Sequence, residues 1–203
     1  MGKKSILMLV GITILGISFL FYTTDHFQAF TAEQARRIDV LNNRPQIPNV
    51  TLEDSTGKTF TFSALKGKYV LATFIYASCG EVCPLVEINF NKIYSSLPPD
   101  ILGEKLQLLS ISFDLARDTP MILEHHREMY EADGADWKMV RVPDQKELDF
   151  LLKKAGVIVI PIKNGFEHNA AFYLFNPEGR LIRIFNYDPA EKVVEELKQE
   201  ISF

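Results

Sequence analysis

The sequence has only two cysteines among its 203 residues and no excess of positive charge. Small disulfide-dependent domains carry several cysteine pairs, so an apolar core has to stabilise this fold. The chain has 22 lysines and arginines against 26 aspartates and glutamates, which gives a net charge of −4. Nucleic-acid binding needs a cationic surface that neutralises phosphates. We therefore expect a globular protein without a nucleic-acid partner, whose two thiols can take part in chemistry.

Residues 5–24 carry no charged side chain and are mostly apolar. About 20 residues, each rising about 1.5 Å in a helix, cover a hydrocarbon layer of about 30 Å. Lys3 and Lys4 precede this stretch, and no basic residue follows it closely, which favours a cytoplasmic N-terminus. The sequence predicts a membrane anchor over residues 1–24, with the soluble part on the periplasmic or extracytoplasmic side.

A cleaved signal peptide is the alternative, since a basic start before an apolar stretch also fits one. The candidate cleavage sites at residues 27–29 and 30–32 lack the small residue that the Ala-x-Ala pattern places three positions before the cut. No cysteine precedes Cys79, which excludes an N-terminus lipidated on cysteine. The N-terminal residues match neither a twin-arginine signal nor an arginine-rich transit peptide. These observations favour an anchor in the inner (cytoplasmic) membrane of a bacterial cell.

After the anchor, the composition predicts a polar tether over residues 25–46 and one domain over residues 47–203. The run at residues 69–75 is continuously apolar and rich in β-formers, as in a strand covered on both faces. Helical and strand-like segments alternate after it. The predicted order is a β-hairpin, β-α-β-α-β-α, a second β-hairpin and a helix. This order predicts an α/β fold, a thioredoxin-like sandwich with an added N-terminal β-hairpin.

The two cysteines occur in Cys79-Gly-Glu-Val-Cys83-Pro84, where the predicted central strand meets the first helix. Pro84 suits the first helical position, so Cys83 is expected near the N-cap, where the helix dipole favours thiolates. The spacing permits either a disulfide or two sulfurs around a soft metal ion. A structural disulfide would stabilise little, because it closes so short a loop. Both sulfurs are expected to be reactive.

One of the four histidines falls near the cysteines in the predicted fold. His168 directly precedes a predicted strand over residues 170–175, which in a thioredoxin-like sheet neighbours the cysteine-bearing strand. It is predicted to lie in a loop that faces the first helix. His26, His125 and His126 are expected to be surface residues.

Asp114 follows a predicted buried strand over residues 106–113 at the same edge of the sheet. Carboxylates at strand ends are often turn or cap residues. Asp114 is therefore either such a residue or one that supports the site from outside the ligand set. Asp118 is the better candidate for capping the following helix.

Three blocks of the sequence are Cys79 to Pro84, Ser112-Phe-Asp114-Leu-Ala-Arg117-Asp118-Thr119-Pro120, and His168 followed by a strand and Asn176-Pro177-Glu-Gly179-Arg180. Together and in this order they resemble the Sco/SenC family, and the resemblance covers roughly residues 46–200. The resemblance implies a membrane-tethered copper protein with a thioredoxin fold. Proteins of this family help metallate the dinuclear copper site of cytochrome c oxidase subunit II. The resemblance also implies that Cys79, Cys83 and His168 are the copper ligands, with Asp114 as the acidic residue that supports them.

The chemistry of the implied donors agrees with copper as Cu(I), Cu(II) or both. Two thiolates and one imidazole form a soft set that suits Cu(I), and three-coordination leaves a face open for ligand exchange. Gly80 stands where family members commonly carry proline, which predicts a looser ligand loop. Met121, Met129 and Met139 are scattered along the sequence, which gives no support to methionine-based copper binding.

The resulting interpretation is a metallochaperone that delivers copper to, or prepares the cysteines of, the dinuclear site of the oxidase subunit. The alternative is a thiol-disulfide oxidoreductase in which Cys79 or Cys83 attacks as a thiolate and His168 is not needed. A peroxidase is disfavoured, because Tyr76 stands where the T-x-x-C signature has threonine. A three-ligand zinc site of two cysteines and one histidine is a further alternative.

Overall fold

The computed structural model describes residues 2–24, 26, 31–79, 82–163 and 165–202. These form two compact units, Met1–Asn43 and Arg44–Phe203. Gly80 of the cysteine loop and most of the candidate cleavage region lie outside the described residues.

The first unit contains two helices, α1 (Lys3–Thr23) and α2 (Ala32–Asn43). Within α1, 20 residues with a mean hydropathy of 2.3 are long and apolar enough to cross a membrane. Helix α2 lies within residues 25–46, where the composition predicts a polar tether without a helix. Its start is a capping box, in which Thr31 Oγ1 accepts from the Gln34 N–H at 3.1 Å and Gln34 Oε1 accepts from the Thr31 N–H at 3.2 Å.

The second unit is built on a seven-stranded sheet with the strand order β2-β1-β5-β4-β3-β8-β9, and β6 and β7 form a separate two-stranded sheet. The strands are β1 (Thr51–Asp54), β2 (Thr59–Thr61), β3 (Tyr69–Ile75), β4 (Leu106–Ser112), β5 (Trp137–Arg141), β6 (Val159–Ile162), β7 (Gly165–His168), β8 (Phe172–Phe175) and β9 (Leu181–Phe185). The helices are α3 (Val82–Ser96), α4 (Pro120–Met129), α5 (Gln145–Ala155) and α6 (Ala190–Ile201), with a 3₁₀ turn at Phe62–Leu65.

The centre of the sheet is parallel, because β3 pairs with β4 and β4 with β5 in that sense. All seven residues of β4 and six of the seven in β3 are buried, as the apolar runs predict. β8 pairs antiparallel with β3, so the strand that follows His168 neighbours the cysteine-bearing strand as expected. The predicted N-terminal hairpin is β1–β2, which joins the sheet through β5.

Aromatic packing fixes α3 against this sheet. The ring centroid of Phe90 lies 5.4 Å from that of Trp137 on β5 and 5.1 Å from that of Phe172 on β8. All three side chains are fully buried. Because aromatic contacts are directional as well as apolar, they set the position of the helix that carries Cys83.

Two local predictions were wrong. The segment before β8 was expected to be a loop, but β6 and β7 pair antiparallel there, with Val159 opposite His168. The first helix begins at Val82, two residues before the predicted start at Pro84, so Cys83 is its second residue and lies within its first turn.

Candidate metal centre

The two cysteines lie where β3 passes into α3, and both are thiols in the structure. A turn brings them together, since the Cys79 N–H donates to the Tyr76 carbonyl at 3.1 Å. The Cys83 N–H then donates to Cys79 Sγ at 3.4 Å. Cys83 is only 1% exposed, whereas Cys79 is partly exposed. Cys79 is therefore the sulfur that a metal ion or a partner molecule reaches first.

The structure brings His168 to the cysteines, as the sequence predicted. His168 is the last residue of β7, and its Nε2 lies 3.5 Å from Cys83 Sγ. A metal about 2.3 Å from a thiolate and about 2.0 Å from an imidazole nitrogen, as in zinc sites, separates the two donors by about 3.5 Å at an angle of about 110°. The observed spacing therefore fits a sulfur and a nitrogen that share one metal ion.

The second nitrogen of the His168 ring is not explained by this contact. Its Nδ1 is buried and has no hydrogen-bond partner among the residues that the structure describes. Such an atom is unfavourable when it is left without a partner. Within the same described ranges, however, no three histidine, cysteine or acidic side chains already surround one point. Complete coordination therefore requires a small movement of at least one donor.

Burial controls the protonation of both groups. It raises the pKa of the Cys83 thiol well above its ordinary value, and the nearby Cys79 and Glu87 side chains raise it further. At Cys83, burial therefore opposes the thiolate that the helix dipole was expected to stabilise. Burial also lowers the pKa of His168, which keeps the imidazole in the neutral form that binds metals. Metal binding must displace the Cys83 proton.

An aromatic cluster holds the His168 ring. Its centroid lies 5.1 Å from that of Phe113 and 6.2 Å from that of Tyr76. Phe166, also on β7, contacts both rings, with centroids 5.5 Å and 5.3 Å away. The Tyr76 hydroxyl donates to the Phe166 carbonyl at 3.2 Å. This packing fastens the β6–β7 hairpin to the end of β3.

Asp114 supports this cluster through a neighbour. Its carboxylate is 3% exposed and pairs with the Arg117 guanidinium. That guanidinium lies 5.5 Å from the Phe166 ring centroid and 5.9 Å from that of Tyr76. In the described contacts, Asp114 reaches the metal-donor residues only through Arg117 and these rings. Its position suits a residue that orients the site without binding the metal.

The prediction that Asp118 caps α4 was wrong. Thr119 is the N-cap, and its hydroxyl accepts from the Ile122 N–H. Asp118 is 1% exposed, and its Oδ2 accepts from the Ala77 N–H at 2.9 Å and the Ser112 hydroxyl at 2.5 Å. It therefore fixes the loop that leads to Cys79.

The expectation that His126 is a surface residue was also wrong. Its side chain is 8% exposed, and its Nε2 lies 4.0 Å from Oε1 of Glu87, which is fully buried. The other Glu87 oxygen accepts from the Ser110 hydroxyl at 3.2 Å, and Ser110 Oγ accepts from Trp137 Nε1 at 3.0 Å. Burial raises the pKa of Glu87 to about 8 and lowers that of His126 to about 4. Glu87 follows Cys83 by four residues, a spacing that places both on one face of α3.

A thioredoxin-like sheet with a dithiol at its first helix and an imidazole within reach defines a class of dithiol proteins equipped to bind a soft metal. The SCO1/SenC family matches residues 42–202. The chain belongs to this family.

Relatives agree with this membership. The chain is 30% identical to protein SCO2, mitochondrial, of Saccharomyces cerevisiae over 158 residues, which are 74% of this chain and 51% of that one. It is 26% identical to Bradyrhizobium japonicum ScoI, solved with copper bound, with a TM-score of 0.66 and coverage of 76% and 98% of the two chains. For BsSco, a member of the Sco family of cytochrome c oxidase assembly proteins, the identity is 24%, the TM-score 0.67 and the coverage 78% and 95%. The Sco/SenC resemblance and the thioredoxin-like fold are confirmed.

Proposed function

We propose that this protein is a copper chaperone that binds copper through Cys79, Cys83 and His168. It delivers the metal to, or prepares the cysteines of, the dinuclear copper site of cytochrome c oxidase subunit II. The observation that carries the proposal is the 3.5 Å approach of His168 Nε2 to Cys83 Sγ beside a second thiol. The copper-bound ScoI and the oxidase-assembly role of the family of BsSco support it.

Copper is the cargo in this proposal, and each residue has a distinct task. Cys79 is partly exposed and meets the metal first, while Cys83 lies inside and gives up its proton as its sulfur binds. His168 is neutral and needs no deprotonation. Two sulfurs and one nitrogen suit Cu(I), and the exposed side of Cys79 is where a partner's ligand replaces it.

The proposed location is the inner membrane of a bacterial cell, with α1 as a single-pass anchor. The apolar length of α1 supports membrane insertion. The basic residues at its start, Lys3 and Lys4, support an orientation in which the second unit lies on the periplasmic or extracytoplasmic side. An oxidase subunit that exposes its copper site on that side would be within reach of the chaperone.

Metal binding by the full chain in detergent tests the proposal. The reduced protein should take up one copper per chain, and added Cu(II) should produce visible thiolate-to-copper charge-transfer absorption. His168→Ala should lower copper affinity by about 10-fold or more, the range found even for residues that only support ligands. His26→Ala, in the first unit, is the matched control and should bind normally. A wild-type protein that stays colourless and free of copper would overturn the proposal.

A second candidate function is the reduction of partner disulfides. The Cys83 N–H directed at Cys79 Sγ at 3.4 Å favours a thiolate on the more exposed sulfur. Cys79 would attack a partner disulfide to form a mixed disulfide. Cys83 would then displace the partner's second thiol, leaving the partner reduced and this chain oxidised. Turnover that survives His168→Ala in the absence of copper would support this function, and turnover that requires copper would contradict it.

A further inference from the structure

A cavity of about 410 Å³ lies beside Cys79, between the start of α3 and helix α4. Cys79 and the preceding loop line one wall. His125 and Met129 of α4 line the other. The cavity thus lies between Cys79, the exposed sulfur of the candidate metal centre, and two side chains that are not among the proposed copper ligands.

The α4 wall presents soft donors. His125 and Met129 are four residues apart, so their side chains lie one turn apart on the same helix face. Both are exposed, Met129 to 59%. An imidazole nitrogen and a thioether sulfur are ligands suited to Cu(I). Met121 lies two turns before Met129 and is 76% exposed, but it is not part of the cavity wall.

One buried polar atom of a cavity-lining residue lacks a partner. Asp118 Oδ1 has no hydrogen-bond partner within the part of the chain that the structure describes, and Asp118 lines the cavity. His126 also lines it, but its Nε2 lies 4.0 Å from Glu87 Oε1. Arg117 also lines it, but its positive charge is paired with Asp114. The cavity therefore combines two soft donors and the exposed Cys79 thiol with one carboxylate oxygen that lacks a partner.

We infer that this cavity is a transient Cu(I) site, with His125 and Met129 as donors, through which copper reaches Cys79. The inference rests on the proposed copper-chaperone function and adds an entry step to it. Cys79 Sγ bonds to the ion while its thiol proton leaves to solvent. The bonds from copper to Met129 sulfur and His125 nitrogen then break. Copper stays Cu(I) throughout, so no oxidant or reductant is needed.

The first test is the rate of copper loading in the full chain, reduced and anaerobic in detergent. Cu(I) is supplied as its acetonitrile complex, and the ultraviolet thiolate-to-copper absorption is followed by stopped flow. The double variant His125→Gln, Met129→Leu should load about 10-fold or more slowly and reach the same final stoichiometry. Met121→Leu is the matched control on the same helix and should load at the wild-type rate. Loading of the double variant at the wild-type rate would overturn the inference.

The second test removes the thiols. A Cys79→Ser, Cys83→Ser variant should retain one weakly held Cu(I) per chain in equilibrium dialysis, and adding His125→Gln and Met129→Leu should abolish it. No residual Cu(I) in the thiol-free variant would overturn the cavity site. The failure of the proposed function looks different, because the wild-type protein would then take up no copper in the loading experiment.

Discussion

Replacing Glu87 by glutamine should make the folded second unit less sensitive to pH between pH 6.5 and 8. Glu87 is fully buried between α3 and the sheet, and Ser110 donates one hydrogen bond to it. Burial raises its pKa from the ordinary 4.5 to about 8. The folded protein therefore keeps a proton that the unfolded chain has already lost. Stability from this group is complete below pH 4.5 and falls as pH rises towards 8.

The magnitude follows from the two pKa values. A tenfold change in an ionisation constant is worth about 1.4 kcal/mol, so full ionisation of Glu87 costs about 5 kcal/mol of folding free energy. About 2 kcal/mol of this falls between pH 6.5 and 8. His126, with a pKa lowered from 6.5 to about 4, acts in the opposite direction, since it destabilises the fold as pH falls below 6.5. Above pH 6.5 the contribution of Glu87 is therefore separated from that of His126.

The single tryptophan provides the assay. Trp137 is fully buried and donates to Ser110, so its fluorescence reports unfolding of this unit in the full chain. Urea unfolding at a series of pH values should show the Glu87→Gln variant gaining about 2 kcal/mol relative to wild type from pH 6.5 to 8. Glu195→Gln, on the exposed face of α6, should follow wild type. A difference between Glu87→Gln and wild type that stays constant over this pH range would refute the reasoning.

Three further substitutions test the supports of the site. Gly165→Ala places a Cβ 2.9 Å from the Tyr76 hydroxyl at φ +154° and should weaken copper binding in a competition titration, with partial recovery when Tyr76→Phe is added. Arg117→Met leaves the buried Asp114 carboxylate without its ion-pair partner and should cost about 2 kcal/mol in urea unfolding, most of it regained with Asp114→Asn. Thr119→Ala removes the cap of α4 and should cost about 1 kcal/mol in the same assay.

The central sheet and the cysteine helix could be predicted because their sequence patterns are local. The run at Tyr69–Ile75 is a nearly continuous apolar strand, and apolar residues recur every three or four positions from Val82 to Leu97, the residue after the end of α3. The approach of His168 to the cysteines followed from the pairing of neighbouring strands in such a sheet. These features depend on periodicity and topology, which one sequence contains.

Other features depend on tertiary contacts that periodicity does not report. Val159-Ile-Pro-Ile162 is short and contains a proline, and it pairs with β7, whose Phe166 packs against Tyr76. Glu87 and His126 are polar residues on amphipathic helices, and only the packing of α3 against α4 shows that they are buried. The helix α2 had a local signal that was missed, the capping box at Thr31 and Gln34.

The two cysteine sulfurs and the His168 imidazole are positioned by different sheets. The cysteines follow a strand of the seven-stranded sheet, whereas His168 belongs to a two-stranded arm fastened mainly by ring packing and one tyrosine hydroxyl. Changes that tighten or loosen the packing of this arm can therefore raise or lower the affinity for copper without altering any donor atom. In a carrier that has to release its copper, the packing of this one arm would then control both retention and release.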